Sequence, residues 1–144
     1  RYFESTYTAP AASPPQIADT ITWGTLPVGA RIIGALSSLN CAVGTASSTL
    51  NVGDSASAAR HLAASSVATA AVFTMVNPAS GVACFETTDG SKTATDNCTI
   101  KSTVAGAAIA ANQVITLRLA YVVIDLIVLM YHKSRACLTA RLFY

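Results

Sequence analysis

Thr49-Leu50-Asn51-Val52-Gly53-Asp54-Ser55-Ala56-Ser57-Ala58-Ala59-Arg60-His61-Leu62 is the stretch from which the rest of the chain is read. Leu50 and Val52 alternate with Thr49 and Asn51, the two-residue period of a strand with one buried face. Gly53-Asp54 breaks that strand, and Asp54 or Ser55 can cap the Ala-rich turn that follows by accepting a backbone N–H. The spacing predicts a strand, a sharp corner, one or two helical turns with Leu62, Ala58 and Ala59 on a weakly apolar face, and a return to the sheet. It places no catalytic group.

Outward from this corner the pattern is all strands. On the N-terminal side, Ile21 and Trp23 alternate with Thr20 and Thr22, and residues 24–29 carry turn punctuation around Pro27. Ala30 to Leu36 reads as a second strand covered on both faces for part of its length, and Ser37 to Ser48 as a connection. On the C-terminal side, Val72 to Val76 and Val82 to Thr88 read as strands. Asp89-Gly90 suits a two-residue hairpin because both positions tolerate positive φ. A return strand from Lys92, a corner at Asp96-Asn97 and a strand from Thr99 to Val104 follow. Gly106 to Ala111 fits strand or loop. Val114 to Ile124 is the strongest strand, with Ile115, Leu117, Leu119, Tyr121 and Val123 on one face and Thr116 and Arg118 on the other.

About eight short strands, none followed by a long amphipathic helix, argue against a parallel α/β fold. The expectation is an all-β protein: an antiparallel two-sheet sandwich of jelly-roll type over residues 19–125. Extended arms flank it at residues 1–18 and 126–144. Pro10, Pro14 and Pro15 keep the first arm out of helix and central strand. Its aromatics Tyr2, Phe3 and Tyr7 would lie on the arm's own sheet or on a neighbouring subunit.

From Ala120 to Tyr131 every residue but Asp125 is apolar. A membrane span needs roughly 20 predominantly apolar residues, and this stretch is closed off by Arg118 behind and His132-Lys133-Ser134-Arg135 ahead. A C-terminal arm is expected instead, with Leu126, Ile127, Leu129, Met130 and Tyr131 requiring a partner surface. The polar first residues show no secretory leader pattern.

Hydrophobic residues make up 52% of the chain and charged residues 11%, against about 25% charged in an ordinary soluble domain. A surface of Ser, Thr and Ala with so few charges suits a subunit covered by its neighbours. The net charge of +2 is scattered, without the basic stripe a nucleic-acid surface carries. Neither nucleic acid nor membrane is expected as a partner.

Candidate chemistry is sparse. Asp54, His61 and a serine can be assembled as a triad on paper, but no G-x-S-x-G elbow is present. Asp19 precedes a strand, while Asp54, Asp89 and Asp96 fall at corners, where turn and cap duty explains them. A glycosidase would need two carboxyls flanking a cleft, and no aromatic cluster lines one here. Asp89 with Asp96 lacks the EF-hand pattern for calcium. Cys41, Cys84, Cys98 and Cys137 form no C-x-x-C pair, so zinc is not expected. Four cysteines allow three pairings and nothing in the spacing selects one; small buried thiols are the simpler reading. Asn97-Cys98-Thr99 fits a glycosylation sequon, which matters only in a secretory setting. No enzyme activity, cofactor or metal is expected.

Leu26-Pro27-Val28-Gly29-Ala30-Arg31-Ile32-Ile33-Gly34, then Thr49 to Asp54, then Arg60-His61-Leu62-Ala63-Ala64, then a strand closing on Tyr121-Val122-Val123-Ile124-Asp125 occur in an order that resembles small structural proteins of tailed-phage heads. Within them the chain is similar to jelly-roll cement (decoration) proteins, that of a Bordetella phage included. The likeness spans Asp19 to Asp125. It implies a non-enzymatic, dimeric virion subunit on the outside of an HK97-like head, clamping neighbouring major capsid proteins without covalent crosslinks. The apolar extension after Asp125 and the four cysteines depart from that pattern. A tail or head-fibre subunit, a surface-adhesion module and a membrane-active lysis protein are the competing expectations.

Overall fold

The computed structural model describes residues 1–75 and 98–123. Nine strands are defined there: β1 (Tyr2–Thr8), β2 (Thr20–Leu26), β3 (Ala30–Ile32), β4 (Ser38–Cys41), β5 (Thr49–Val52), β6 (Leu62–Ser66), β7 (Ala71–Thr74), β8 (Cys98–Ala105) and β9 (Val114–Val123). The expected strand at 82–88, the Asp89-Gly90 hairpin, the Asp96-Asn97 corner and the arm at 126–144 lie outside the described residues.

Two antiparallel sheets face each other. One has the order β1-β9-β4-β7, with β3 pairing the far end of β9; the other has the order β2-β8-β5-β6. The pairings are therefore nested, β1 with β9, β2 with β8, β4 with β7 and β5 with β6, which is the wrapping of a jelly roll. Each sheet turns alternate side chains inward. Ile21, Trp23 and Leu26 of β2, Leu39 and Cys41 of β4, Leu50 and Val52 of β5, Ile100 and Val104 of β8, and Ile115, Leu117 and Leu119 of β9 form the dry layer between the sheets.

Half of the stretch read as an N-terminal arm is sandwich. β1 pairs β9 over its whole length, from Tyr2↔Ala120 to Thr8↔Val114. Residues 9–19 then cross to the other sheet, held by backbone bonds of Ala9 to Gln113, Ile109 to Pro15 and Ala18 to Val104. Phe3 and Tyr7 are half-buried and pack on the core. The Phe3 ring covers Gly24, where an added Cβ would stand 2.9 Å from it. Gly24 has φ +150° and follows a β-bulge between Thr22 and Gly24. The bulge shifts the inward parity from Ile21 and Trp23 to Leu26. Trp23 donates its indole N–H to Ser102 Oγ at 2.7 Å and meets Tyr7 edge-on, at 6.4 Å and 80°, a favoured aromatic geometry.

Four local expectations are corrected. Residues 55–61 form an irregular loop, not helical turns, because Asp54 Oδ1 accepts the N–H groups of Ala56 and Ser57 and Ser57 O accepts those of Asp54 and Arg60. Leu62, expected on the apolar face of that turn, instead opens edge strand β6 beside β5. The connection at 37–48 contains β4, a central strand between β9 and β7. The strand expected through Leu36 stops at Ile32, and Gly34–Leu36 is a 3-10 turn that leaves Leu36 exposed.

Around this turn Ser37 takes over part of the ladder: its Oγ donates to Ile33 O at 2.9 Å and accepts from Ala120 N at 3.0 Å. Ala120 is buried beside Leu119, and the alternation expected along β9 holds through Tyr121, which packs on the core, and fails at Val123, which is exposed. Residues 106–113 are loop. Cys98 is disulfide-bonded, which corrects the reading of all four as thiols; Cys41 is free and buried.

Candidate interaction surface

Among the described residues, titratable side chains gather in the interior at the corner after β5. Asp54 is buried, with its Oδ2 2.6 Å from Arg60 Nε and its Oδ1 committed to the loop amides. His61 is fully buried, and its backbone N–H returns to Val52 O at 2.9 Å. Burial holds the imidazole down at about 4, the neighbouring Arg60 charge adds to this and Asp54 opposes it. A carboxylate already bonded to two amides and a guanidinium is a structural hub rather than a base for catalysis. Among the described residues no group of His, Cys, Asp and Glu could hold a metal ion.

What the fold does present is two broad, weakly charged sheet faces. On the first sheet, cross-strand rows run Thr6–Thr116–Asn40–Val72 and Glu4–Arg118–Ser38–Thr74. Thr6 and Thr116 share a hydroxyl bond of 3.0 Å, and Arg118 Nε donates to Glu4 Oε2 at 2.7 Å. Thr8 beside Val114 and exposed Tyr2 extend this face. On the second sheet, Thr20 lies beside Thr103, Thr22 beside Lys101, Thr25 beside Thr99, and Thr49 between Ala105 and Ser66. Hydroxyls and methyls cost less to desolvate than charges, and depletion of charge is what distinguishes the centre of a protein interface.

The chain superposes on a chain of the cyanophage Pam1 capsid asymmetric unit with a TM-score of 0.60 and 26% identity, covering 84% of this chain and 82% of that one. It superposes on a chain of the capsid of Ralstonia phage GP4 with a TM-score of 0.66 and 20% identity, covering 86% and 84%. The fold is shared with chains of two phage capsids. No family model matches the chain, and no curated protein does.

Of the residues expected to make contacts, the structure brings Tyr2, Phe3 and Tyr7 together on β1 but divides their roles. Phe3 and Tyr7 face the core and close the sandwich corner, while Tyr2 stays exposed. Leu126, Ile127, Leu129, Met130 and Tyr131 lie outside the described residues. Sequence reading missed the sheet faces themselves. Their sign was the run of alternating threonines at Thr20, Thr22, Thr99 and Thr103, visible as strand pattern but not as a surface until the strands are set side by side. Among the described residues no helix is long and apolar enough to cross a membrane.

Proposed function

We propose that this chain is a cement, or decoration, subunit of a tailed-phage virion, a structural protein without an enzymatic step. It sits as a homodimer on the outer surface of an HK97-like head and clamps neighbouring major capsid proteins non-covalently. The observation that carries the reading is the superposition on two phage-capsid chains over more than four-fifths of each chain. The order of short motifs from Leu26 to Asp125 supports the narrower assignment to cement, and the threonine-rich, weakly charged faces suit a protein covered by its lattice. Many copies on one shell turn modest contacts into firm retention, because each later contact is effectively intramolecular.

The test is copy number and position in purified particles, by quantitative mass spectrometry and cryo-electron microscopy. Hundreds of copies on the outer shell between capsid subunits are expected. A few copies at one vertex would assign the chain to the tail or a fibre, and none in particles would remove it from the virion. Removing residues 126–144 is the informative truncation for loss of decoration. Removing residues 1–18 is not, because it deletes β1 and strips the edge of β9.

A further inference from the structure

The backbone of β1 has an unused side. Arg1 and Tyr121 exchange both of their backbone bonds at 2.9 Å, and Ala9 N–H reaches Gln113 O at 3.0 Å. In an antiparallel ladder hydrogen-bonded pairs alternate, so Phe3, Ser5 and Tyr7 also bond β9. The N–H and C=O groups of Tyr2, Glu4, Thr6 and Thr8 therefore point away from the sheet, and among the described residues nothing bonds them. Natural edges are protected by Lys, Pro, bulges or shortness. β1 has seven residues, no Lys or Pro, and an unbroken register. The other long edge strand, β2, is bulged, and the edge strands β6 and β7 are shorter.

We infer that the β1 edge is the homodimer interface, pairing antiparallel with β1 of a second copy about a two-fold axis at Ser5. The sequence of β1 selects the register. Only the even-numbered residues turn their backbone groups outward, and a register that leaves at most one of them unpaired sets Glu4 opposite the partner's Glu4, Thr6 or Thr8. The first sets like charges against each other, which destabilises a strand pair. The third leaves Tyr2 unpaired. The second pairs Tyr2 with the partner's Thr8 and Glu4 with the partner's Thr6, and uses every outward group in about eight backbone bonds. It also sets Phe3 opposite the partner's Tyr7, an aromatic pair, with the small Ser5 side chain on the axis where identical groups meet. The two first sheets become one continuous sheet. This deepens the homodimer part of the proposed function but needs no capsid, so the two can fail separately.

Light scattering and native mass spectrometry of the purified full chain test it. The 14.8 kDa chain is expected to run at twice that mass. Thr6→Pro removes an outward N–H without touching the bonds to β9, so the dimer should weaken roughly ten- to hundred-fold from two lost bonds. Thr6→Glu sets carboxylates opposite each other and should give monomer with unchanged circular dichroism. Ser5→Cys should crosslink into a reducible dimer that the parent chain does not form, because facing residues of a non-hydrogen-bonded pair approach most closely. A monomeric parent chain, a dimer untouched by Thr6→Glu, or no Ser5→Cys crosslink overturns the proposal. A solution dimer that fails to decorate heads leaves it standing and removes the cement reading instead.

Discussion

Arg60 Nε lies 2.6 Å from Asp54 Oδ2, with the carboxylate fully buried and the guanidinium 18% exposed. This pair closes the loop between β5 and β6 in place of helical turns. Breaking a buried pair by removing one partner leaves an uncompensated charge, at about 3–5 kcal/mol; partial exposure of Arg60 sets the lower end. Asp54→Ala should therefore cost about 3 kcal/mol in urea unfolding. Asp54→Asn, which keeps an acceptor for Ala56 and Ser57, should cost less. Equal stability of Asp54→Ala and the parent would show that the loop is held by other contacts.

His61 makes stability depend on pH. Its folded value is held at about 4 by burial first, while in the unfolded chain it titrates near its usual ~6.5. Between these values the unfolded chain binds more protons, so stability falls as pH falls through that window, by up to about 3 kcal/mol. Above the window the imidazole adds no slope. Urea midpoints from pH 7.5 to 4 should show this loss in the parent and a flatter profile in His61→Gln, the difference isolating the imidazole from Asp54, which faces it. Parallel profiles would contradict a neutral buried His61.

Gln113 joins three loops from its buried position. Its Nε2 donates to Ala42 O at 2.9 Å and Val67 O at 2.8 Å, and its Oε1 accepts from Ala110 N. Gln113→Leu would strand two carbonyls, costing about 2–4 kcal/mol. Thermal unfolding should show the drop, and hydrogen exchange should quicken at residues 42–44 and 67–68.

Glu4 and Arg118 provide the contrast. Both side chains are 56% exposed, so Arg118→Ala should change stability by no more than about 0.5 kcal/mol despite the 2.7 Å bond. A loss above 2 kcal/mol would mean that this face is less solvated than its exposure implies.

The cysteines should separate chemically. Burial raises the Cys41 thiol above its usual range, so iodoacetamide should label it only after unfolding. Non-reducing peptide maps should find Cys98 in a disulfide. Rapid labelling of Cys41 in the native chain would place it nearer the surface.

Alternating strands were legible wherever inward residues were large: Ile21 and Trp23, Leu50 and Val52, and Ile115 through Leu119 were read in the correct phase. They were illegible where the strand's reason lies in its neighbours. Ser38–Cys41 holds two apolar residues in four, too few for a period, and is a strand because β9 and β7 offer bonds on both sides. Leu62–Ser66 has poor β-formers and exists as the partner of β5. The interaction surface was less legible still, because a row such as Thr6–Thr116–Asn40–Val72 draws on four separate strands.

By itself the sequence determined the all-β class, the corner at Gly53-Asp54 and the weakly charged, hydroxyl-rich surface, since period, turn chemistry and composition are local properties. Only the tertiary structure decided that β1 belongs to the sandwich, that Ser37 completes the ladder at Ala120 and that no described strand pairs the second edge of β1. Those outcomes depend on which backbone groups meet across more than a hundred residues of chain, such as Arg1 with Tyr121. No local pattern encodes such a meeting; it follows when every strand seeks partners for its N–H and C=O groups at once.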